Sequence, residues 1–323
     1  MASMMQLLRS VSMSILAIAS VAAPTHAAPS AKAQDTPEAR LEHSITFLSE
    51  ANSSPTPIDT SDDVVFSKVT VNGHDAWAML DNACGHTVID LTYAKSIGLT
   101  VGPIVGKLDL GAASLDERLV KGTSIVVPGQ VTFNGSVVAI DMQPFSRLVG
   151  RPVQAIIGGD YLDRMAVLIQ NSRKQMILAK SGDITPRVKV ATLPLIDGNH
   201  VFAKINGQAV SLKVDMGYNG TIRLSDGAWA RVVPTGTSAK EGKTASLDGV
   251  ARTGRSVSNA SLVLGQVSVS PISVSVGEKL PGTSDGLLGM TFLSKADFIL
   301  DVDQKKLFLI PIEAPAVPSA SAR

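Results

Sequence analysis

The chain has 323 residues, 45% of them hydrophobic and only 4% aromatic, with a formal net charge of +1. That length can bury one large core or two ordinary ones, and the near-neutral balance lacks the electrostatic footprint of a nucleic-acid or anionic-membrane binder. A single cysteine excludes an intramolecular disulfide, so core packing has to hold the fold.

At the start of the chain, Arg9 precedes an apolar run from Val11 to Ala23, and small residues follow in Thr25-His26-Ala27. These are the parts of a secretory signal, with an apolar stretch too short to cross a bilayer comfortably. Residues 1–27 are therefore expected to be a signal peptide cut after Ala27, leaving no membrane span and a secreted or periplasmic protein; an uncleaved anchor is the alternative. Residues 28–63 turn to Ala, Pro, Ser, Thr and charge, the composition of a linker or pro-region. Within it Leu41, Ile45 and Leu48 could form one short helical face.

From Val64 onward, short Val/Ile/Leu-rich segments are broken about every ten residues by Gly, Asn-Gly or Pro, which predicts an all-β fold. Only Leu91 to Gly98 and Arg223 to Val232 could hold a helical turn or two. The segment AWAMLDNACGHTVIDL, residues 76–91, stands out: a strand runs into a polar turn holding Asp81, Asn82, Cys84 and His86, then into a second strand.

That segment has a partner in VSLKVDMGYNGTIRL, residues 210–224. Asn72-Gly73 precedes Asp81 as Asn206-Gly207 precedes Asp215, and Thr87 follows the first acid as Thr221 follows the second. Further on, Ile156-Ile157-Gly158 matches Leu287-Leu288-Gly289, each followed by a leucine (Leu162, Leu293) and a hairpin-like strand pair. The chain is read as duplicated: an N-terminal lobe over 64–182, a C-terminal lobe over 183–312 and a tail over 313–323. A repeat of that length is a domain rather than a solenoid unit.

Each copy ends a strand in one carboxylate, and a pseudo-twofold axis could bring Asp81 and Asp215 face to face. Two carboxylates at close range cannot both ionise easily, so a shared proton would let the pair act as base toward water and as acid toward a leaving amine. Here the sequence resembles the retropepsin-like and pepsin-like aspartic proteases, in particular exported bacterial forms with two fused retropepsin-type lobes. The resemblance rests on Asp81 to Ile89 and on the signatures AIIGGDYL (155–162) and SDGLLGMTFL (284–293), and it covers residues 64–312. It implies a bilobal fold of two barrel-like lobes, a peptide or protein substrate in the cleft at their seam, Asp81 and Asp215 as catalytic acids, and no cofactor. Asn82, Ala83, Cys84, Thr87, Met216, Gly217, Tyr218 and Thr221 would form the active-site loops, and Ile157, Gly158, Leu288 and Gly289 the structural glycine signatures.

The sequence departs from the family pattern beside both acids. The bracing Thr or Ser that follows each acid in the family is Asn82 in one copy and Met216 in the other, and Met216 cannot donate a hydrogen bond. The amide of Asn82 can still donate across the seam with Met216 packed beneath it. Gly217 keeps the family glycine where Ala83 does not, and Cys84 and Tyr218 occupy the fourth position.

Two function classes follow. One is an exported aspartic endopeptidase, acting without a covalent intermediate, best at mildly acidic pH, as a monomer. The other is a catalytically degenerate relative that captures a peptide strand without cleaving it. A Cys84–His86 thiol site is conceivable, although a lone cysteine is more often a small buried hydrophobe. The five histidines show no ligand spacing, so no metal is expected.

Overall fold

The computed structural model describes residues 11–13, 43–49, 54–110, 113–277, 280 and 284–312. Two lobes are built on the same strand plan. The first contains β4 (Val65–Val71), β5 (His74–Leu80), β6 (Val88–Asp90), β7 (Val101–Asp109), β8 (Ser114–Val127), β9 (Val131–Ile140) and β10 (Ala155–Ile157). The second contains β14 (His200–Ile205), β15 (Gln208–Val214), β16 (Ile222–Leu224), β17 (Lys240–Ala245), β18 (Ala251–Leu264), β19 (Val267–Val276) and β20 (Gly286–Leu288).

In each lobe six strands close on themselves. The order β4-β5-β10-β6-β9-β8 returns through a β8–β4 pairing, and β14-β15-β20-β16-β19-β18 returns through β18–β14. Closure removes the exposed sheet edges within the ring. The first hairpin of each ring turns at Asn-Gly with both residues at positive φ: Asn72 at 47° and Gly73 at 82°, then Asn206 at 49° and Gly207 at 81°. Such turns match the twist of the flanking strands. Each asparagine is also used as a clamp, its Oδ1 accepting from Ser124 N at 2.7 Å in one lobe and from Ser261 N at 2.9 Å in the other.

A six-stranded sheet joins the lobes. Its order is β13 (Ala191–Pro194), β22 (Lys306–Pro311), β21 (Ala296–Asp301), β11 (Met165–Gln170), β12 (Gln175–Lys180) and β3 (Thr56–Asp59). β11 and β21, one from each repeat, pair antiparallel at its centre with Val167 opposite Leu300. On one face Val167, Ile169, Phe298 and Leu300 run into the main core, while Ala166, Leu168 and Ile299 form a small cluster on the other. That two-faced burial explains the continuous apolar runs in both hairpins.

Segments expected to lie outside the lobes are built into them. β2 (His43–Phe47) pairs with β9, and β3 pairs with both β4 and β12, so residues 28–63 supply two strands of the fold. Ile45 lies on β2 and not on a helix. Its β-branched neighbour Thr46 favours extended backbone, and β9 offers a free edge. Leu41 lies outside the described residues. Near the other end of the expected signal segment, β1 (Val11–Met13) pairs parallel with β17; the rest of residues 1–27, and the tail from 313, lie outside the described residues.

The two expected helical segments are present as α1 (Leu91–Ser96), capped by Asp90 accepting from Tyr93 N at 2.7 Å, and α4 (Asp226–Val232), capped by Ser225. Three more were not anticipated: α2 (Gln143–Val149), α3 (Gly159–Leu162) and α5 (Met290–Leu293). No described helix is long and apolar enough to cross a membrane.

Candidate active site

Each acid closes a strand of its ring. Asp81 follows β5 and donates its backbone N–H to Ile157 O at 3.0 Å; Asp215 follows β15 and donates to Leu288 O at the same distance. The glycines after β10 and β20 then lie under the acid loops. A Cβ on Gly158 would sit 2.6 Å from the His86 carbonyl, and one on Gly289 would collide with Gly220 O and Tyr218. Next in chain, Gly159 N donates to Cys84 O at 2.7 Å and Met290 N to Tyr218 O at 2.8 Å. These close approaches leave no room for any residue but glycine at 158 and 289.

The loops meet at the seam. Gly217, from the second loop, lies so close to Asp81 that a Cβ there would fall into the carboxyl group. Both carboxyls are fully buried. Asp81 Oδ1 accepts from Ala83 N at 2.9 Å and Cys84 N at 3.1 Å, and Asp215 Oδ1 accepts from Gly217 N at 2.8 Å. The Oδ2 of each acid is buried with no hydrogen-bond partner. Each loop therefore orients one oxygen of its acid and leaves the other uncommitted.

Asn82 spans the seam with both ends of its amide. Nδ2 donates to Val214 O at 2.8 Å, and Oδ1 accepts from Met216 N at 2.9 Å. Asn199 adds longer bonds, 3.4 Å each, from its Nδ2 to Asn82 O and Val214 O. The Met216 side chain turns away into the main apolar core. One amide thus clamps the backbone on both sides of Asp215, while the position after that acid serves packing.

Burial raises both carboxyls, Asp81 to about 7 and Asp215 well above the ordinary range; the charge of Asp81 adds to the rise at Asp215. The backbone donors and the Lys213 ammonium oppose it. Two buried carboxyls facing one seam hold one proton between them more readily than they lose both.

Thr87 and Thr221, placed opposite each other by the sequence repeat, do not correspond in space. Across the first ring Ile89 pairs with Ala155, and across the second Leu224 pairs with Gly286. Residues 89 and 224 are 135 apart, against 134 for the two acids, so the second loop carries one extra residue. The Thr87 hydroxyl accepts from Gly158 N at 3.0 Å and donates to Asp160 at 2.7 Å. Thr221 instead offers its backbone carbonyl to Gly289 N at 3.0 Å.

The thiol site does not form. Cys84 is fully buried, its Sγ donates to the backbone carbonyl of His86 at 3.1 Å, and burial drives the thiol well above its ordinary pKa. A neutral, enclosed thiol is a poor nucleophile. Tyr218, in the matching position of the second loop, packs with Leu280 and Leu287 and meets Ser275 Oγ at 3.1 Å. Among the described residues no three His, Cys, Asp or Glu side chains are grouped to hold a metal ion.

Both lobes carry a long hairpin, β7–β8 and β17–β18. At the tip of the second, Leu247 is fully buried in a cluster of the first lobe with Leu110, Met142 and Phe145. A Cβ on Gly249 would meet Pro144 of α2 at 2.8 Å. The tip of the second hairpin is therefore seated on the first lobe, in the cluster that also holds Met79 and Cys84 on either side of Asp81.

A family profile described as Aspartyl protease matches residues 67–161 and, again, 201–292. Each match runs from the first ring hairpin through the acid loop to the helix after the glycine signature. A search of curated proteins gave no match.

Proposed function

The chain belongs to the retropepsin-like aspartyl protease family, and from that premise we propose that it is an exported endopeptidase whose catalytic acids are Asp81 and Asp215. The observation that carries this reading is the pair of enclosed carboxyls, each held through Oδ1 by its own loop, with both Oδ2 atoms uncommitted. Ionised Asp81 takes a proton from a water as its oxygen attacks the substrate carbonyl, and Asp215 gives its proton to the carbonyl oxygen. As the tetrahedral diol collapses, Asp81 passes its proton to the departing nitrogen, a diol hydroxyl returns its proton to Asp215, and the C–N bond breaks. The acids end with one shared proton, as they began, and no bond forms between enzyme and substrate.

The peptide has to reach acids that have no exposure in the closed form. Lifting the β17–β18 hairpin would withdraw Leu247 from its apolar seat, so opening costs about 2 kcal/mol for that side chain alone. Reclosure over a bound peptide would exclude bulk water and strengthen every electrostatic contact at the dyad.

Hydrolysis of an unfolded protein in ¹⁸O-labelled water tests this reading. One heavy oxygen should enter each new C-terminal carboxylate, and an added amine should capture no acyl fragment. Amine capture would place a covalent intermediate in the reaction, and failure to generate new termini at any pH between 4 and 8 would leave only the peptide-capturing alternative.

A further inference from the structure

Beside each acid, three side chains cross the sheet in a straight row, and the two rows differ in chemistry. In the first lobe Met79 on β5, Ile156 on β10 and Val88 on β6 are mutual register partners, all buried in one apolar cluster with Leu110 and Leu247 from the hairpin tips. The same register in the second lobe places Lys213 on β15, Leu287 on β20 and Arg223 on β16. Register partners share a sheet face, so the wall that is apolar in one lobe has a cation at each end in the other.

Lys213 is the end of that row nearest the chemistry. It stands two residues before Asp215, and its Nζ reaches across the seam to donate to Ala83 O at 3.3 Å, two residues after Asp81. It is half-buried, whereas its counterpart Met79 is fully enclosed. An ammonium has three donors, so this contact leaves capacity for a further acceptor.

We propose that Lys213 selects substrates carrying an acidic side chain next to the scissile bond, on the side bound by the second lobe. This rests on the endopeptidase reading and adds the substrate class. A peptide lying in the seam would bring its backbone to the Ala83 carbonyl and one side chain to the Lys213 ammonium. A carboxylate there makes a charge-assisted hydrogen bond in an enclosed site, and an amide of the same shape makes a weaker one. Burial pushes the neighbouring carboxyl of Asp163 up to about 7, which weakens its competition for the ammonium.

The test uses the full chain with Asp81→Asn, which silences hydrolysis, and unfolded decapeptides that differ only by Glu or Gln at each position in turn. Binding is read by fluorescence polarisation. One position should favour Glu by about tenfold; Lys213→Arg should keep that preference and Lys213→Met, which copies the first lobe, should erase it. In the active chain the same position should flank the cleaved bond. Equal binding of Glu and Gln peptides, or a preference that survives Lys213→Met, overturns the proposal. Because the binding arm needs no turnover, a chain that discriminates Glu from Gln but never cleaves would contradict the endopeptidase reading and leave the recognition standing.

Discussion

Asn82 and Met216 are joined across the seam by a 2.9 Å bond from the Met216 backbone N–H to the Asn82 Oδ1, while the Met216 side chain lies in the apolar core. The two positions after the acids have thus divided their work, one bracing and one packing. Asn82→Ala would leave Met216 N unpaired in a buried setting, which costs about 1–3 kcal/mol, and would leave Val214 O with only the longer Asn199 bond. The expected outcome is a lower midpoint in urea unfolding together with a fall in kcat larger than any rise in KM. Met216→Thr should not raise activity, although it returns the family residue. It would bury a hydroxyl where a thioether packs, and the loss of stability should be about 2 kcal/mol or more.

The acids also set how stability depends on pH. Both take up protons more readily in the folded chain than when unfolded, so their contribution is intact below the ordinary carboxyl value of 3.8 and is lost as pH rises through their raised folded values, about 7 for Asp81 and likewise raised by burial for Asp215. Asp81→Asn keeps an oxygen for the Ala83 and Cys84 amides and removes the charge. Its unfolding free energy should match that of the native chain near pH 3.5 and exceed it at pH 8 by an amount on the order of a few kcal/mol, with a correspondingly higher thermal midpoint. Paired calorimetric scans at the two pH values check this, and equal midpoints at pH 8 would show that the carboxyl is not desolvated.

Cys84 should be silent. Cys84→Ser keeps a donor for the His86 carbonyl and should retain activity within a few-fold, and thiol reagents should leave the native chain untouched while labelling it fully in denaturant. Rapid labelling of the folded protein with loss of activity would reopen the thiol reading.

Much of this architecture is legible in the sequence because it is carried by local signals that occur twice. The Asn-Gly turns, the acid at each strand end and the apolar-apolar-Gly signatures are short-range features, and their order predicts two lobes. What the sequence hides depends on packing between distant segments. β2 and β3 are too short to declare themselves and gain their pairing from β9, β4 and β12. Thr221 looks equivalent to Thr87 at a constant spacing, and only the strand register reveals the extra residue in its loop. The Lys213 row was invisible for the same reason, since three residues from three separated strands have to be brought side by side.

The central claim is that Asp81 and Asp215 act as one catalytic unit. It is tested most directly by kcat/KM for an unfolded peptide substrate with the native chain, Asp81→Asn, Asp215→Asn and the double variant, each with its folding confirmed by circular dichroism. Either single change is expected to lower kcat/KM by at least about a thousandfold, and the double variant should be no worse than the singles because the unit is already broken. Turnover that survives in either single variant at near the native rate would contradict it.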